Sequence, residues 1–207
     1  MPTAKYLGLI ERSFKTKLEL YLFNELINKR HLNELNEEGF INFIITDQMI
    51  KLYEKAWQME EAEIIEGIQI SQIDQDIEGW NKSNTDDKAS FLMLYVDIFK
   101  RIFPMSDFKE FYDVGHEERK CFYCGISEKD ISLLKKNGVI KTKRNRGKQM
   151  EIDRRNSKKE YTLDNVILAC YWCNNAKSDE FTADEYKVIA EGIKRIWEQR
   201  LKEVSIA

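Results

Sequence analysis

Four cysteines carry the most specific chemical signal in the chain. They stand as Cys121-Phe-Tyr-Cys124 and, after 45 intervening residues, as Cys170-Tyr-Trp-Cys173. A C-x-x-C turn holds two thiolates about 3.7 Å apart on one metal, so two such turns supply the four sulfurs of a tetrahedral zinc site. Protein fills all four positions, which makes such a site structural, since none stays open for a substrate. The interval is longer than in a zinc ribbon, but a looped insertion costs little once its ends are fixed. Gly125, just after the first pair, suits the tight backbone of a knuckle. Two other chemistries use the same residues. A thioredoxin-like redox pair needs a βαβ setting, which the sequence lacks. An iron–sulfur cluster is the alternative metal site, with the aromatic-rich double knuckle favouring zinc.

The second signal is charge. The net charge of −3 hides an asymmetry: residues 135 to 159 hold eleven Lys or Arg against two acids, a local balance of +9 that leaves −12 for the rest. A basic block in an acidic protein reads either as a phosphate-contacting surface or as a solvated basic loop. Lys141, Lys143, Arg144, Arg146, Lys148, Arg155, Lys158 and Lys159 of this block, with Lys177 beyond the last cysteine, are the candidate nucleic-acid contacts. Of the two histidines, His31 lies in the polar run Lys29-Arg30-His31 and is incidental. His116 reads as a surface residue or as a base.

These groups need a scaffold, and 207 residues suffice for one large domain or two small ones. Apolar content of 43%, charged content of 33%, two prolines and nine glycines describe an ordinary soluble chain, mostly helical, with few tight turns. No apolar run approaches a membrane span of about 18 residues, and the charged N-terminus is no signal peptide. Both point to the cytoplasm, where thiols stay reduced and cysteines serve metals more than disulfides.

Residues 1–113 read as a helical domain. Leu7, Ile10, Phe14, Leu18, Tyr21, Leu22 and Leu26 share one helix face between Tyr6 and Asn28. The stretch from Phe40 to about Trp80 is too long for one helix and must break. Asn81 to Asp87 is turn-like. A helix over about Lys88 to Phe103, apolar on most faces, should be buried and stopped by Pro104.

Residues 114–207 differ in texture. A short helix is expected over Glu128 to Lys136, a basic loop over Val139 to Lys148, and two strands over Met150 to Asp153 and Val166 to Ala169. Thr182-Ala-Asp-Glu185 is a capping box opening a helix to about Val204. Tyr186, Ile189, Ile193, Ile196, Trp197 and Leu201 form its apolar face, expected to pack back on the first domain.

The ordered set Cys121-Phe-Tyr-Cys124-Gly125, Glu151-Ile-Asp153, Asn165-Val-Ile-Leu-Ala and Cys170-Tyr-Trp-Cys173-Asn174-Asn-Ala-Lys177 resembles the zinc-containing branch of the HNH endonucleases. The match covers about 60 of the 207 residues and is silent on the helical domain. The resemblance implies a ββα-metal (HNH) zinc-knuckle module; with the helical domain and the long C-terminal helix read from the residues, the expected fold is α+β and mainly helical. The resemblance also implies a catalytic Mg²⁺ or Mn²⁺ held by Asp153 and Asn174, with Asn165 bracing the loop. The helix after Cys173 would aim its N-terminus at phosphate.

One position departs from the pattern. The general base of these enzymes is a His after the strand-ending acid, and here Arg154 follows Asp153. An arginine cannot take a proton from water. The series Asp153-Arg154, Tyr161-Thr162, Asn165-Val166 resembles a variant of such modules. Tyr161 or His116 would then supply the base or orient water, while Arg154 neutralises phosphate.

Three functions follow as expectations: a DNA-cutting endonuclease of restriction or phage-defence type; a non-catalytic zinc-stabilised module that binds nucleic acid; and a regulatory subunit. The expected partner is DNA, with RNA as the alternative, and a protein partner is expected through the helical domain. No membrane partner is expected.

Overall fold

A computed structural model describes residues 2–113, 119–143 and 146–206. The chain gathers into two compact units: Met1–Pro104 with Lys158–Glu160, and Met105–Ser157 with Tyr161–Ala207.

The first unit is built around α1 (Pro2–Ile27), which packs against α3 (Asp47–Gln58), α4 (Ile70–Ser83) and α5 (Thr85–Ile102). A helix covered on several sides needs more than one apolar stripe. Leu9, Leu20 and Phe23 are therefore buried along with Ile10, Phe14, Leu18, Tyr21, Leu22 and Leu26, whereas Leu7 faces solvent, contrary to its place in the periodic pattern. The short α2 (Glu37–Asn42) delivers Phe40, stacked on Phe91 of α5 with ring centroids 4.9 Å apart.

The stretch between Phe40 and Trp80 breaks twice, at residues 43–46 after α2 and again at a short hairpin, β1 (Ile64–Ile65) with β2 (Ile68–Gln69). Its turn residues Glu66 and Gly67 both have positive φ, +51° and +85°, which hairpin turns of this length require. The polar stretch at Asn81 is two helix ends with Asn84 between them. Lys82 sits in the last turn of α4 and Asp86 and Asp87 in the first turn of α5, each charge matching its helix dipole. Helix α5 buries one side only, through Phe91, Tyr95 and Phe99, and Met93 is exposed.

The second unit begins with α6 (Met105–Tyr112), bound in by the Tyr112 hydroxyl, which donates to Met150 O at 3.1 Å. Then come α7 (Glu128–Lys136), β3 (Glu151–Arg154), β4 (Val166–Ala169), α8 (Tyr171–Lys177) and α9 (Ala183–Ile206). Strands β3 and β4 are antiparallel, with Glu151 opposite Ala169 and Asp153 opposite Ile167. Helix α7 opens on a capping box, Ser127 with Asp130, and α9 on the Thr182–Glu185 pair.

The core of this unit surrounds the cysteines: Tyr123, Ile131, Leu134, Met150, Ile167 and Ala169 join all four of them. Helix α9 gives this core Tyr186, Ala190 and Trp197, with Ile193 and Leu201 packed beside them. Its buried face is thus taken up within its own unit, and Ile189 and Ile196, which the spacing assigns to that face, are 46% and 50% exposed.

Candidate metal centre and nucleic-acid site

The four Sγ atoms lie within 4.8 Å of one another, all buried, with Cys124 and Cys170 3.8 Å apart. Local backbone explains the convergence. Gly125 N donates to Cys121 O at 2.9 Å with Gly125 at φ +74°, and Cys121 N donates to Ile126 O at 2.9 Å, closing the first knuckle. Phe122 N donates to Leu168 O at 2.8 Å, which moors that knuckle to β4. The strand then runs straight into Cys170, the N-cap of α8. Crowding pushes the Cys170 and Cys173 thiols up, through contact with the Cys121 and Cys124 sulfurs and then through burial. A bound cation removes that conflict by stabilising thiolates, so the cluster is able to hold a metal ion.

Alternation along β3 puts Glu151 and Asp153 on one face of the hairpin. Three-residue spacing puts Asn174 and Lys177 on one face of α8. The two faces meet: Asn174 Nδ2 donates to Glu151 Oε2 at 2.7 Å, and Lys177 Nζ lies 3.6 Å from Asp153 Oδ2. Asn174 is therefore engaged by Glu151, and the groups touching Asp153 are others. The Tyr123 hydroxyl donates to Asp153 Oδ2 at 2.7 Å and Arg154 N to Oδ1 at 2.8 Å. Burial pushes the Asp153 carboxyl up, opposed by the Tyr123 hydrogen bond and the Lys177 charge.

Glu151 also takes Arg146 in a two-pronged pair, Nε to Oε1 at 2.8 Å and Nη2 to Oε2 at 2.6 Å. The same guanidinium lies 4.7 Å from the Tyr171 ring centroid. Beyond Asp153, the Arg154 guanidinium lies over the buried Tyr161 ring at 4.8 Å. Asn165 is buried and pairs with the Asn156 backbone twice: its Oδ1 accepts from Asn156 N at 3.0 Å and its Nδ2 donates to Asn156 O at 3.1 Å. This clamps the loop between β3 and β4 across its neck.

No family model and no curated protein matches the chain. A solved structure of the rare-cutting HNH restriction endonuclease PacI is similar to it, with 32% identity and a TM-score of 0.41 over 46% of this chain. The matched region spans 65% of that protein's chain.

The basic candidates divide by environment. Lys141, Lys143, Arg146, Lys148 and Arg155 are exposed. Lys158 and Lys159 belong to the first unit, where Lys159 pairs with Asp47 at 2.7 Å and Lys158 sits 5.8 Å from the Tyr53 ring. Lys177 is fully buried at 0% exposure, so its ammonium reaches a carboxylate inside the protein and cannot touch a phosphate. Arg144 and His116 lie outside the described residues. No helix among the described residues is long and apolar enough to cross a membrane.

Composition and motif spacing left Tyr123 and Glu151 without a role. Glu151 sits two residues before Asp153 and so shares its face, a signal that strand alternation alone could have supplied.

Proposed function

We propose that the chain is a metal-dependent, HNH-type endonuclease that hydrolyses phosphodiester bonds in DNA. The carrying observation is the setting of Asp153: a carboxylate on a short hairpin facing a helix that starts at a cysteine of the metal cluster, with Arg154 next to it. The cysteine cluster fits structural zinc. Tetrahedral zinc with Zn–S bonds of about 2.3 Å has sulfur–sulfur edges of about 3.8 Å, and Cys124 and Cys170 are separated by 3.8 Å.

Asp153, Glu151 and Asn174 offer the hard oxygen donors that Mg²⁺ or Mn²⁺ prefers, and Asp153 with Asn174 would hold the cation once Asn174 turns from Glu151. Such a cation supplies stabilisation of the leaving 3′ oxygen and orientation of the scissile phosphate. Arg154 neutralises phosphate charge and, being always cationic, leaves the proton to another group. We assign to Tyr161, beneath the Arg154 guanidinium, the orienting of the attacking water or, as the phenolate, the acceptance of its proton, with His116 as the second candidate. Asn165 keeps the loop that carries Tyr161 in shape. Lys141, Lys143, Lys148 and Arg155 contact the DNA backbone, while Arg146 must first leave Glu151 to do so.

The test is plasmid cleavage by purified protein in Mg²⁺, Mn²⁺ and EDTA, beside Asp153→Ala and a zinc assay. Cutting that needs a divalent cation and is lost in Asp153→Ala supports the reading, and cutting indifferent to that substitution removes it. Arg154 at the position of the usual base favours one other reading, a module that binds nucleic acid without cutting. It predicts salt-sensitive binding and no product with any metal. A role in restriction or phage defence further requires that the cutting be sequence-specific.

A further inference from the structure

We infer that Tyr123 is a positioning residue, whose hydroxyl fixes the Asp153 carboxylate and so ties the hydrolytic site to the cysteine metal centre. The inference rests on the reading of Asp153 as a cation ligand. Tyr123 lies inside the first C-x-x-C turn, so its backbone is pinned on both sides by cluster cysteines. Its ring is buried and packs edge-on against Tyr186 of α9 with centroids 5.0 Å apart. Among the described residues the hydroxyl has one partner, Asp153 Oδ2 at 2.7 Å.

That bond decides which oxygen the carboxylate presents. An ionised carboxylate has about four acceptor directions. Tyr123 and Lys177 face Oδ2, and Arg154 N occupies one direction of Oδ1, so the open direction belongs to Oδ1. Lys177 makes the arrangement precarious. Its ammonium is wholly buried, has no hydrogen-bond partner among the described residues and stops 3.6 Å short of Oδ2. Without the tyrosine hydroxyl, the carboxylate turns toward Lys177, completes that ion pair and withdraws the oxygen offered to a cation. Tyr123 thus holds Asp153 back from its buried lysine, and the cluster holds Tyr123.

Tyr123→Phe removes the hydroxyl and keeps the ring. The test measures the Mn²⁺ dependence of plasmid nicking and the zinc content of Tyr123→Phe and wild type. The expected result is a Mn²⁺ half-saturation raised about tenfold, as for other supports of metal ligands, with zinc content unchanged and most of the maximal rate recovered at saturating Mn²⁺. An unchanged half-saturation, or a lowered maximal rate that Mn²⁺ fails to restore, overturns the inference. Should wild type not cut, the endonuclease reading falls, and the tie is judged by zinc transfer to a chelator in Tyr123→Phe, Asp153→Asn and the double variant. Equal acceleration in all three supports the tie, and effects that multiply overturn it.

Discussion

Arg119 and Glu128 form a buried ion pair, Nη2 to Oε2 at 3.1 Å, with side chains 1% and 8% exposed. The pair binds three segments of the second unit. Arg119 Nη1 donates to Tyr112 O at the end of α6, and its guanidinium lies 4.6 Å from the Tyr112 ring. Glu128 Oε1 accepts Met150 N at 2.6 Å, one residue before β3. Removing either partner strands a buried charge. Arg119→Met and Glu128→Gln should each cost about 3–5 kcal/mol in denaturant unfolding, and the double variant less than the sum. Costs that simply add would show that the two residues do not act as a pair.

Lys177 and Lys148 should separate cleanly. Lys177→Met leaves the half-buried Asp153 carboxylate without that cation and should destabilise the protein by about 3 kcal/mol, with no change in the salt dependence of DNA binding. Lys148→Ala, at an exposed position, should leave stability alone and flatten the plot of log affinity against log salt by about one unit. A salt slope altered by Lys177→Met would mean that its ammonium reaches phosphate after all.

Burial raises the Asp153 carboxyl above its ordinary range, and the sign of the consequence is fixed. A proton and a cation compete for the carboxylate, and a raised pKa lets the proton compete at higher pH than at an ordinary aspartate of about 3.9. On acidification, the Mn²⁺ concentration needed for half-maximal cleavage should therefore begin to rise at a higher pH than an ordinary aspartate would give. A Mn²⁺ requirement that stays flat until the ordinary aspartate range is reached would place the cation elsewhere.

Stripping metal from the cysteines should unravel the surroundings of Asp153. Strands of four residues do not stand alone, and the cluster sits at the centre of the core around them. Chelation, or Cys124→Ser, should abolish hydrogen-exchange protection through β3, β4 and α8, while the buried face of α1 in the first unit stays protected.

Much of the second unit was legible in the sequence because its signals are local. Helix α7 and strand β4 fall where composition puts them, and Thr182 with Glu185 opens α9 through their own side chains. Tertiary partners decided the rest. Periodicity puts Ile189 and Ile196 on one broad face of α9 with Tyr186 and Trp197, and the cysteine core covers only the part with Tyr186, Ala190 and Trp197, leaving Ile189 and Ile196 outside. Lysine is by default a surface residue, so nothing in Cys173-Asn-Asn-Ala-Lys177 announces a buried ammonium. The link from Tyr123 to Asp153 spans 30 positions and has no local signature. Hairpin β1–β2 had one cue, Glu66-Gly67, too small to outweigh the apolar helix pattern around it.

The 45 residues between the two cysteine pairs also set a timetable. A chain is made from its N-terminus, at about 5–20 residues per second, and Cys121 and Cys124 leave the ribosome well before Cys170 and Cys173. For that interval the nascent chain carries Asp153, Arg154 and the basic loop with nothing to gather them. Until the second pair arrives the cluster is incomplete, so a truncated or stalled chain lacks the centre of the core that sets Asp153 and Arg154 in place.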